Sequence, residues 1–285
     1  MYVDLTNMNS GFCDRLRQLT FCIAFEKLQN KKINLINIYE KKNSECPYYI
    51  SELIDIKGCK LKNIKKKNIQ TIRMDPFNSD ISIANCVKYN SKKLDNIKLL
   101  KMWKKAYRMI QPKKKIMTRL KSIIKYREYV AIHIRLTDKL VSFRDYIFEL
   151  PKKDVIYNNQ FKEFLENVQL IIPKKYKYIY ISSDESIYKN KIKKLFNNKY
   201  KFLDRKIAYN KNKLRQTSGD DFMIDLFSIA KSSLIISSTG GNVPYTSNLI
   251  SGLNQNYIKW VNFKTKYKLI NNLRKFIFFI RKLIN

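Results

Sequence analysis

Residues 129–139 read YVAIHIRLTDK, an apolar run that ends abruptly in polar and ionisable side chains. The run 129–134 is rich in β-branched and aromatic residues and predicts a buried strand. Its polar end holds the only histidine of the chain, His133, followed by Arg135, Thr137, Asp138 and Lys139. Ligands of open α/β sheets bind outside the carboxyl ends of the strands, so we expect the active site at this junction. A buried strand that ends in a surface ion pair would give the same pattern.

Strand and helix patterns alternate after this stretch, and the alternation predicts a doubly wound parallel sheet. The sequence predicts strands at 129–134, 178–181 and 234–236, and helices near 161–170, 187–196, 221–230 and from about 243.

Polar residues follow or interrupt these apolar segments. After the strand at 178–181, Ser182 and Ser183 can cap the next helix while Asp184 faces the cleft. After the strand at 234–236 come small residues that suit either a phosphate or ribose site or a tight turn, namely Ser237, Ser238, Thr239 and Gly240. Asp225 lies in a helix of otherwise apolar character, so its carboxylate needs a partner if it faces inward.

The N-terminal half begins with a strand, a loop, a helix and a second strand. Apolar residues recur at helical spacing from Leu16 to Leu28, between predicted strands at 2–5 and 33–38. Gly11 lies just before this helix, where free backbone N–H groups attract phosphate. A further helix is predicted at 94–110, and residues 40–90 have little pattern. We place the domain boundary in the basic stretch 111–127, which gives domains at 1–125 and 126–262.

The chain is long enough for two domains, since it has 285 residues and 45% of them are hydrophobic. Its 58 lysines and arginines exceed its 23 acidic residues and give a net charge of +35. Such a charge is typical of proteins that bind nucleic acid or an anionic membrane. The abundance of lysine, asparagine and isoleucine is equally typical of an AT-rich genome. The sequence contains no paired Cys and His residues at the spacing of a zinc site, no ribonucleoprotein motif and no basic-region heptads. Specific binding to a nucleic acid is therefore not expected.

The five cysteines are odd in number and lie in the first third of the chain, at Cys13, Cys22, Cys46, Cys59 and Cys86. This arrangement does not suit a disulfide framework. The N-terminus lacks the basic and apolar regions of a signal peptide, and no apolar stretch approaches the roughly 18 residues of a spanning helix. We therefore expect a cytoplasmic protein, located in part at the inner face of the membrane.

The C-terminal segment 263–285 is expected to form a basic amphipathic helix. Its apolar residues recur at helical spacing from Leu269 to Ile284, and lysines and arginines flank them. Such a helix suits an anionic membrane surface, and packing against the protein body is the alternative.

Taken in order, four motifs resemble those of the α1,6-/α1,2-/protein O-fucosyltransferase superfamily, which includes the nodulation fucosyltransferases. The motifs are GFCDRLR at 11–17, HIRLTDK at 133–139, SDE at 183–185, and DLFS at 225–228 leading to ISSTG at 236–240. The second motif is the most specific. Together they extend over nearly the whole chain.

The resemblance implies a GT-B glycosyltransferase of the α/β class, with two facing Rossmann-like domains. The second domain would hold most of a GDP-sugar donor, usually GDP-fucose. Arg135 would bind the β-phosphate and stabilise the leaving nucleotide, the role that a divalent metal has in other transferases. No metal and no cofactor other than this donor is therefore expected.

The resemblance also implies roles for the other motif residues. His133 would contact the nucleotide, Asp225 would accept hydrogen bonds from the guanine edge, and Asp184 would orient neighbouring groups. The loop at Gly11, with Phe12, Cys13 and Arg15, would close over the pyrophosphate. The segment Ser237, Ser238, Thr239 and Gly240 would complete the nucleotide site. Asp138 and Lys139 match the residues on the acceptor side.

The sequence departs from the family pattern at several positions. Leu136 stands where many members have a second arginine, and Phe143 stands at the position of a family glutamate. The general base is therefore open among Asp138, Asp145 and Glu149. Cys13 replaces a common glycine of the first motif.

The sequence thus predicts a metal-independent, inverting transferase that moves a sugar from GDP-fucose or a related donor to a cell-surface glycan. Two alternatives remain at this stage: a basic nucleic-acid-binding protein, and an inactive membrane-associated protein on a transferase scaffold.

Overall fold

The computed structural model describes residues 1–6, 11–43, 46–65, 96–125, 128–134, 164, 168, 172–183, 186–196, 198–203, 205, 217–238, 242–252 and 257–260. This part of the chain is mixed α/β with parallel sheets. The predicted C-terminal helix at 263–285 and Cys86 lie outside the described residues.

The first half builds a three-stranded parallel sheet of order β1-β2-β4. Its elements in chain order are β1 (Tyr2–Asp4), α1 (Phe12–Leu28), β2 (Leu35–Tyr39), α2 (Ile50–Leu53), β3 (Ile54–Ile56), β4 (Lys60–Asn63), α3 (Asn96–Arg108), β5 (Ile110–Pro112) and α4 (Lys114–Ile124). The predicted first and second strands and the two long helices are confirmed. Leu16, Leu19 and Ile23 are fully buried where α1 packs against α3.

The stretch expected at the domain boundary has regular structure of its own. β5 pairs with β3 in an antiparallel ladder, and α4 follows and packs against a later helix, α6 (Gly219–Ala230). The boundary itself stays a prediction.

The second half builds a five-stranded, wholly parallel sheet of order β10-β9-β6-β7-β8. Its elements are β6 (Tyr129–Ile134), β7 (Tyr178–Ser183), α5 (Ser186–Phe196), β8 (Lys201–Leu203), α6, β9 (Leu234–Ser237), α7 (Asn242–Ser251) and β10 (Tyr257–Trp260). The predicted strands and the predicted helices near 187–196, 221–230 and from about 243 are confirmed, whereas the predicted helix near 161–170 lies mostly outside the described residues. Every residue of β6 is buried, as its continuous apolar run predicts. β6 is the central strand, with β7 on one side and β9 on the other.

The strand β7 extends through Ser182 and Ser183, and their predicted role as caps of the next helix stays a prediction. Both residues continue β7 and lie opposite His133 and Ile134 of β6, so their backbone groups belong to the sheet. The hydrogen bonding of a parallel ladder extends the strand beyond its apolar run.

The largest hydrophobic cluster joins the two halves. It contains Val3 and Leu16 from the first half and Tyr129, Leu226 and Ile250 from the second. A second cluster covers part of the five-stranded sheet and includes Val130, Ile132, Ile179, Ile181 and Phe164. No helix in the described ranges is long and apolar enough to cross a bilayer. The four described cysteines, Cys13, Cys22, Cys46 and Cys59, are free thiols, in agreement with the prediction.

Candidate active site

The carboxyl edge of the five-stranded sheet brings three polar side chains together. His133 of β6 lies opposite Ser182 of β7 and Ser237 of β9 in the strand register. Its Nδ1 lies 3.1 Å from Ser237 Oγ, and the backbone N–H of Ser238 donates to the His133 carbonyl at 2.9 Å. His133, Ser182, Ser237 and Ser238 are all buried. The sequence-predicted residues His133, Ser237 and Ser238 therefore form one cluster at the end of the central strand.

This edge is a topological switch point. From β6 the chain passes to β7 and β8 on one side, and it returns to β9 and β10 on the other. The connections leave the sheet in opposite directions at such a point, and the crevice between them is where open α/β sheets bind ligands.

The first sequence motif contacts the start of α7, two residues beyond the last motif, beside this edge. Asn242, the first residue of α7, donates through Nδ2 to Asp14 Oδ1 at 2.9 Å and accepts from Arg17 Nη2 at 3.1 Å. Arg17 also forms an ion pair with Asp14 at 3.5 Å. The start of α1 therefore lies beside the start of α7, although the contacting residues are more than 220 positions apart in the chain.

Most of the remaining residues of the first motif are buried at the start of α1. Gly11 is the N-cap of α1 and has no side-chain capping bond. Phe12 packs edge-on against Phe222 of α6, with ring centroids 5.4 Å apart, and Cys13 is buried. Arg15 is fully buried, and its Nε and Nη1 have no hydrogen-bond partner.

Asp225 belongs to a buried charge network. Its Oδ2 accepts from Arg205 Nη2 at 2.6 Å, and its Oδ1 accepts from Arg205 Nε at 3.2 Å and from the Tyr180 hydroxyl at 2.5 Å. Arg205 also lies 3.8 Å from Asp221, which pairs with Arg119 of α4 at 2.7 Å. The prediction that an inward-facing Asp225 needs a partner is confirmed. Its predicted contact with guanine stays a prediction, and both carboxylate oxygens already have protein partners.

The protonation of this network follows from its contacts. Burial lowers the pKa of Arg205, but the charge and hydrogen bonds of Asp225 outweigh this effect and raise the pKa overall. Burial and the nearby charge of Asp225 raise the pKa of Tyr180 well above its usual value. Arg205 is therefore held as a cation, and Tyr180 keeps the proton that it donates.

Sequence reasoning missed Arg205, Tyr180 and Asn242. Arg205 follows a strand of only three residues, and Tyr180 reads as an ordinary strand residue. An unpaired acid in an apolar helix is the one signal that could have prompted a search for a buried cation.

Six predicted site residues lie outside the described residues: Arg135, Asp138, Lys139, Asp184, Thr239 and Gly240. Their roles stay predictions. No group of three or more His, Cys, Asp or Glu side chains suited to a metal ion occurs in the described part of the chain.

Solved structures resemble this chain over most of its length. A NodZ alpha-1,6-fucosyltransferase soaked with GDP-fucose matches with a TM-score of 0.53 and 12% identity, covering 87% of this chain and 91% of that one. POFUT1 in complex with GDP-fucose matches with a TM-score of 0.53 and 12% identity, covering 92% and 98%. The fucosyltransferase NodZ from Bradyrhizobium matches with a TM-score of 0.51 and 12% identity, covering 87% and 92%.

The chain has the fold of the fucosyltransferases. The resemblance that the four motifs predict is thereby confirmed at the level of the fold. No protein-family model and no curated protein matches the sequence itself. The fucosyltransferase fold is therefore recognisable here from the arrangement of the backbone, whereas overall sequence similarity is too low to reveal it.

Proposed function

We propose that this protein is a glycosyltransferase that transfers a sugar from a GDP-sugar, GDP-fucose in the first instance, to a glycan acceptor. The observation that carries the proposal is the contact of the first motif with Asn242, at the start of α7, beside the buried His133–Ser237 pair, within the fucosyltransferase fold. Fold alone does not determine function, so the arrangement of these residues is needed as well.

The carboxyl edge of the central strand provides the nucleotide site in this proposal. His133 contacts the nucleotide, and its hydrogen bond with Ser237 fixes the orientation of the imidazole ring. The start of α7 lies beyond Ser238 and supplies backbone N–H donors for a phosphate group. The Asn242 contact holds Gly11 and Phe12, at the start of α1, against the same edge.

The identity of the donor is supported by the related structures. NodZ was crystallised with GDP and soaked with GDP-fucose, and POFUT1 was solved in complex with GDP-fucose. A GDP-sugar is therefore the first donor to test.

In the proposed mechanism the bond from the sugar to the β-phosphate breaks as an acceptor hydroxyl attacks the anomeric carbon from the opposite face. Arg135 grips two phosphate oxygens and neutralises the charge that develops on the leaving nucleotide, so no metal is needed. Asp138 and Lys139 face the acceptor, and the general base is Asp138, Asp145 or Glu149. The GT-B arrangement of two facing domains, a cell-surface acceptor and a site of action at the cytoplasmic face of the membrane belong to the same proposal.

The test replaces Arg135 and measures the turnover of GDP-fucose with and without EDTA. Arg135→Ala should lower turnover by at least about 100-fold, as expected for losing one stabiliser of transition-state charge. Arg135→Lys should recover only part of the rate, because an ammonium group keeps the charge but cannot grip two oxygens at once. Wild-type turnover should persist in EDTA.

Arg108→Ala is the matched control, since Arg108 is an exposed arginine at the end of α3. It should retain the wild-type rate. Dependence of turnover on a divalent ion, or a near wild-type rate for Arg135→Ala, would contradict the mechanism.

A further inference from the structure

The exposed face of helix α3 combines positive charge with apolar side chains. The opposite face is buried and packs against α1 and α7, through residues such as Leu99 and Trp103. With about 3.6 residues per turn, six exposed side chains of α3 fall on one continuous face. We call this face the α3 surface, and its residues are Ile97, Leu100, Lys101, Lys104, Lys105 and Arg108.

The positive charge of the α3 surface is not neutralised within the described part of the chain. Its four basic residues form no ion pair with another described residue, and the helix itself contains no acidic residue. Helix α4 differs, because Lys115 and Arg119 pair with adjacent aspartates of α6. Basic side chains without acidic neighbours keep their positive potential for an external anion.

The apolar residues of the α3 surface indicate what kind of anion it fits. Ile97 is 81% exposed, more than any other large hydrophobic residue in the described ranges, and Leu100 is 37% exposed. On an anionic membrane the lysines contact lipid headgroups while neighbouring apolar side chains reach the edge of the hydrocarbon. Single-stranded RNA would use the lysines and stack on aromatic side chains, so it would leave Ile97 in water. The combination therefore favours a membrane.

The direction of α3 places its apolar residues at the end nearest the candidate active site. Trp103 Nε1 donates to Thr20 Oγ1 at 3.0 Å, and Lys27 Nζ lies 3.1 Å from Met109 Sδ, just beyond the end of α3. The contacts advance in the same direction along both helices, so α1 and α3 run parallel. The start of α3 therefore lies on the same side as the start of α1, which contacts α7 beside the proposed nucleotide site.

We propose that the α3 surface docks on an anionic membrane. It is separate in sequence from the segment 264–285, and the two attach the same chain to the lipid. One weak attachment gives only marginal, reversible membrane binding, and stable attachment takes two. Because both belong to one chain, binding of the first raises the effective concentration of the second, and tight binding requires both.

The test neutralises two lysines of the α3 surface in the full-length protein. Binding is measured by sedimentation with liposomes made of equal parts of phosphatidylglycerol and phosphatidylcholine. Lys101→Gln with Lys104→Gln should lower the binding constant about 25-fold, because each lysine near an anionic surface contributes roughly fivefold. The melting temperature should stay unchanged, since both side chains are exposed and glutamine suits a helix as well as lysine does. Unchanged liposome binding would overturn the proposal.

Lys191→Gln with Lys194→Gln is the matched control. It removes the same charge from two exposed lysines of α5. Helix α5 packs in the second hydrophobic cluster, away from α3, which packs in the first. This variant should bind the liposomes almost as tightly as the wild type. An equal loss in both double variants would overturn the proposal in favour of a general effect of net charge.

A second variant tests the choice of a membrane over a nucleic acid. Ile97→Ser with Leu100→Ser should weaken liposome binding about tenfold, because two large apolar side chains no longer leave water. Unchanged liposome binding would overturn the docking of this face on lipid. If the lysine variant instead loses affinity for a single-stranded RNA oligonucleotide and keeps its liposome binding, the α3 surface is a nucleic-acid surface and the proposal is wrong.

Donor turnover in solution separates this proposal from the proposed function. The α3 and α5 variants should all turn over GDP-fucose at the wild-type rate without liposomes. Loss of lipid binding with normal turnover concerns the α3 surface alone, whereas no GDP binding and no turnover by the wild type would contradict the proposed function.

Discussion

At the scale of single residues, Asp225 and Arg205 show how the fold accommodates charge in its interior. The two side chains are 8% and 3% exposed, and the pair is joined by a hydrogen bond of 2.6 Å. Tyr180 donates to the same carboxylate. Two opposite charges in one buried site depend on each other, and removal of Asp225 leaves Arg205 with only its longer, 3.8 Å contact to Asp221.

Asp225→Ala should therefore destabilise the protein by about 3–5 kcal/mol, the usual cost of leaving a buried ion unpaired. The double variant Asp225→Leu with Arg205→Met should be less destabilised than Asp225→Ala, because it removes both charges. Chemical denaturation measures the free energy of unfolding of each variant.

The exposed pair of Lys113 and Asp55 provides the control for burial. These side chains are 36% and 52% exposed, so Asp55→Ala should cost no more than about 1 kcal/mol. If Asp225→Ala is equally mild, the carboxylate is not held in a buried pair.

A separate test of Asp225 concerns nucleotide recognition and uses the folded variant Asp225→Asn. If the wild type binds GDP more tightly than UDP and this variant does not, the guanine contact is supported.

These residues also show the limit of sequence reasoning about the site. His133, Ser237 and Ser238 could be predicted because each follows an apolar strand, and strand ends at one edge of a parallel sheet must meet. Arg205 could not, because its partner is 20 positions away and no local sequence pattern links the two residues.

At the scale of elements, the contact between α1 and α7 depends on Asn242. This side chain bonds to Asp14 and Arg17 and so holds two helix starts together beside the predicted nucleotide site. These hydrogen bonds are exposed and add little to stability. We expect them to keep the proposed nucleotide site ordered before the donor binds.

Asn242→Ala should raise the KM for GDP-fucose by about 2- to 12-fold, equivalent to the 0.5–1.5 kcal/mol that ordering a side chain costs on binding. The melting temperature should change little. Steady-state kinetics and thermal melting measure the two effects separately.

Asn190→Ala is the matched control, since Asn190 is an exposed asparagine on α5. It should change neither quantity. Unaltered kinetics in Asn242→Ala would show that the helix contact does not order the donor site.

The elements themselves were predictable where their pattern is long. β6, α5 and α6 agree with the predicted segments to within about two residues, the usual uncertainty of an element boundary. β3, β5 and β8 have only three residues each, too few to show a period, and they form only because a neighbouring strand pairs with them.

At the scale of the whole molecule, the strong positive charge favours an anionic partner surface. The segment 264–285 combines an apolar stripe with flanking lysines and arginines, so we predict that it binds anionic lipid. Deleting residues 264–285 should abolish sedimentation with anionic liposomes and leave GDP binding intact.

The paired variant Leu273→Glu with Ile277→Glu tests the same point without shortening the chain. It should lose liposome binding as well, and neutral liposomes should bind none of the proteins. If the shortened protein is insoluble or melts far lower, the segment packs on the protein body and the membrane interpretation is wrong.

The contact between Asp14 and Asn242 also has a consequence for synthesis. The two residues are separated by more than 220 positions, and the cluster that buries α1 extends to Ile250. At about 5–20 residues per second, a ribosome needs roughly 10–45 s to add that length of chain. During this interval α3 covers one face of α1, but the face of α1 that contacts α7 stays uncovered. The nascent chain is therefore expected to depend on a chaperone until α7 leaves the exit tunnel.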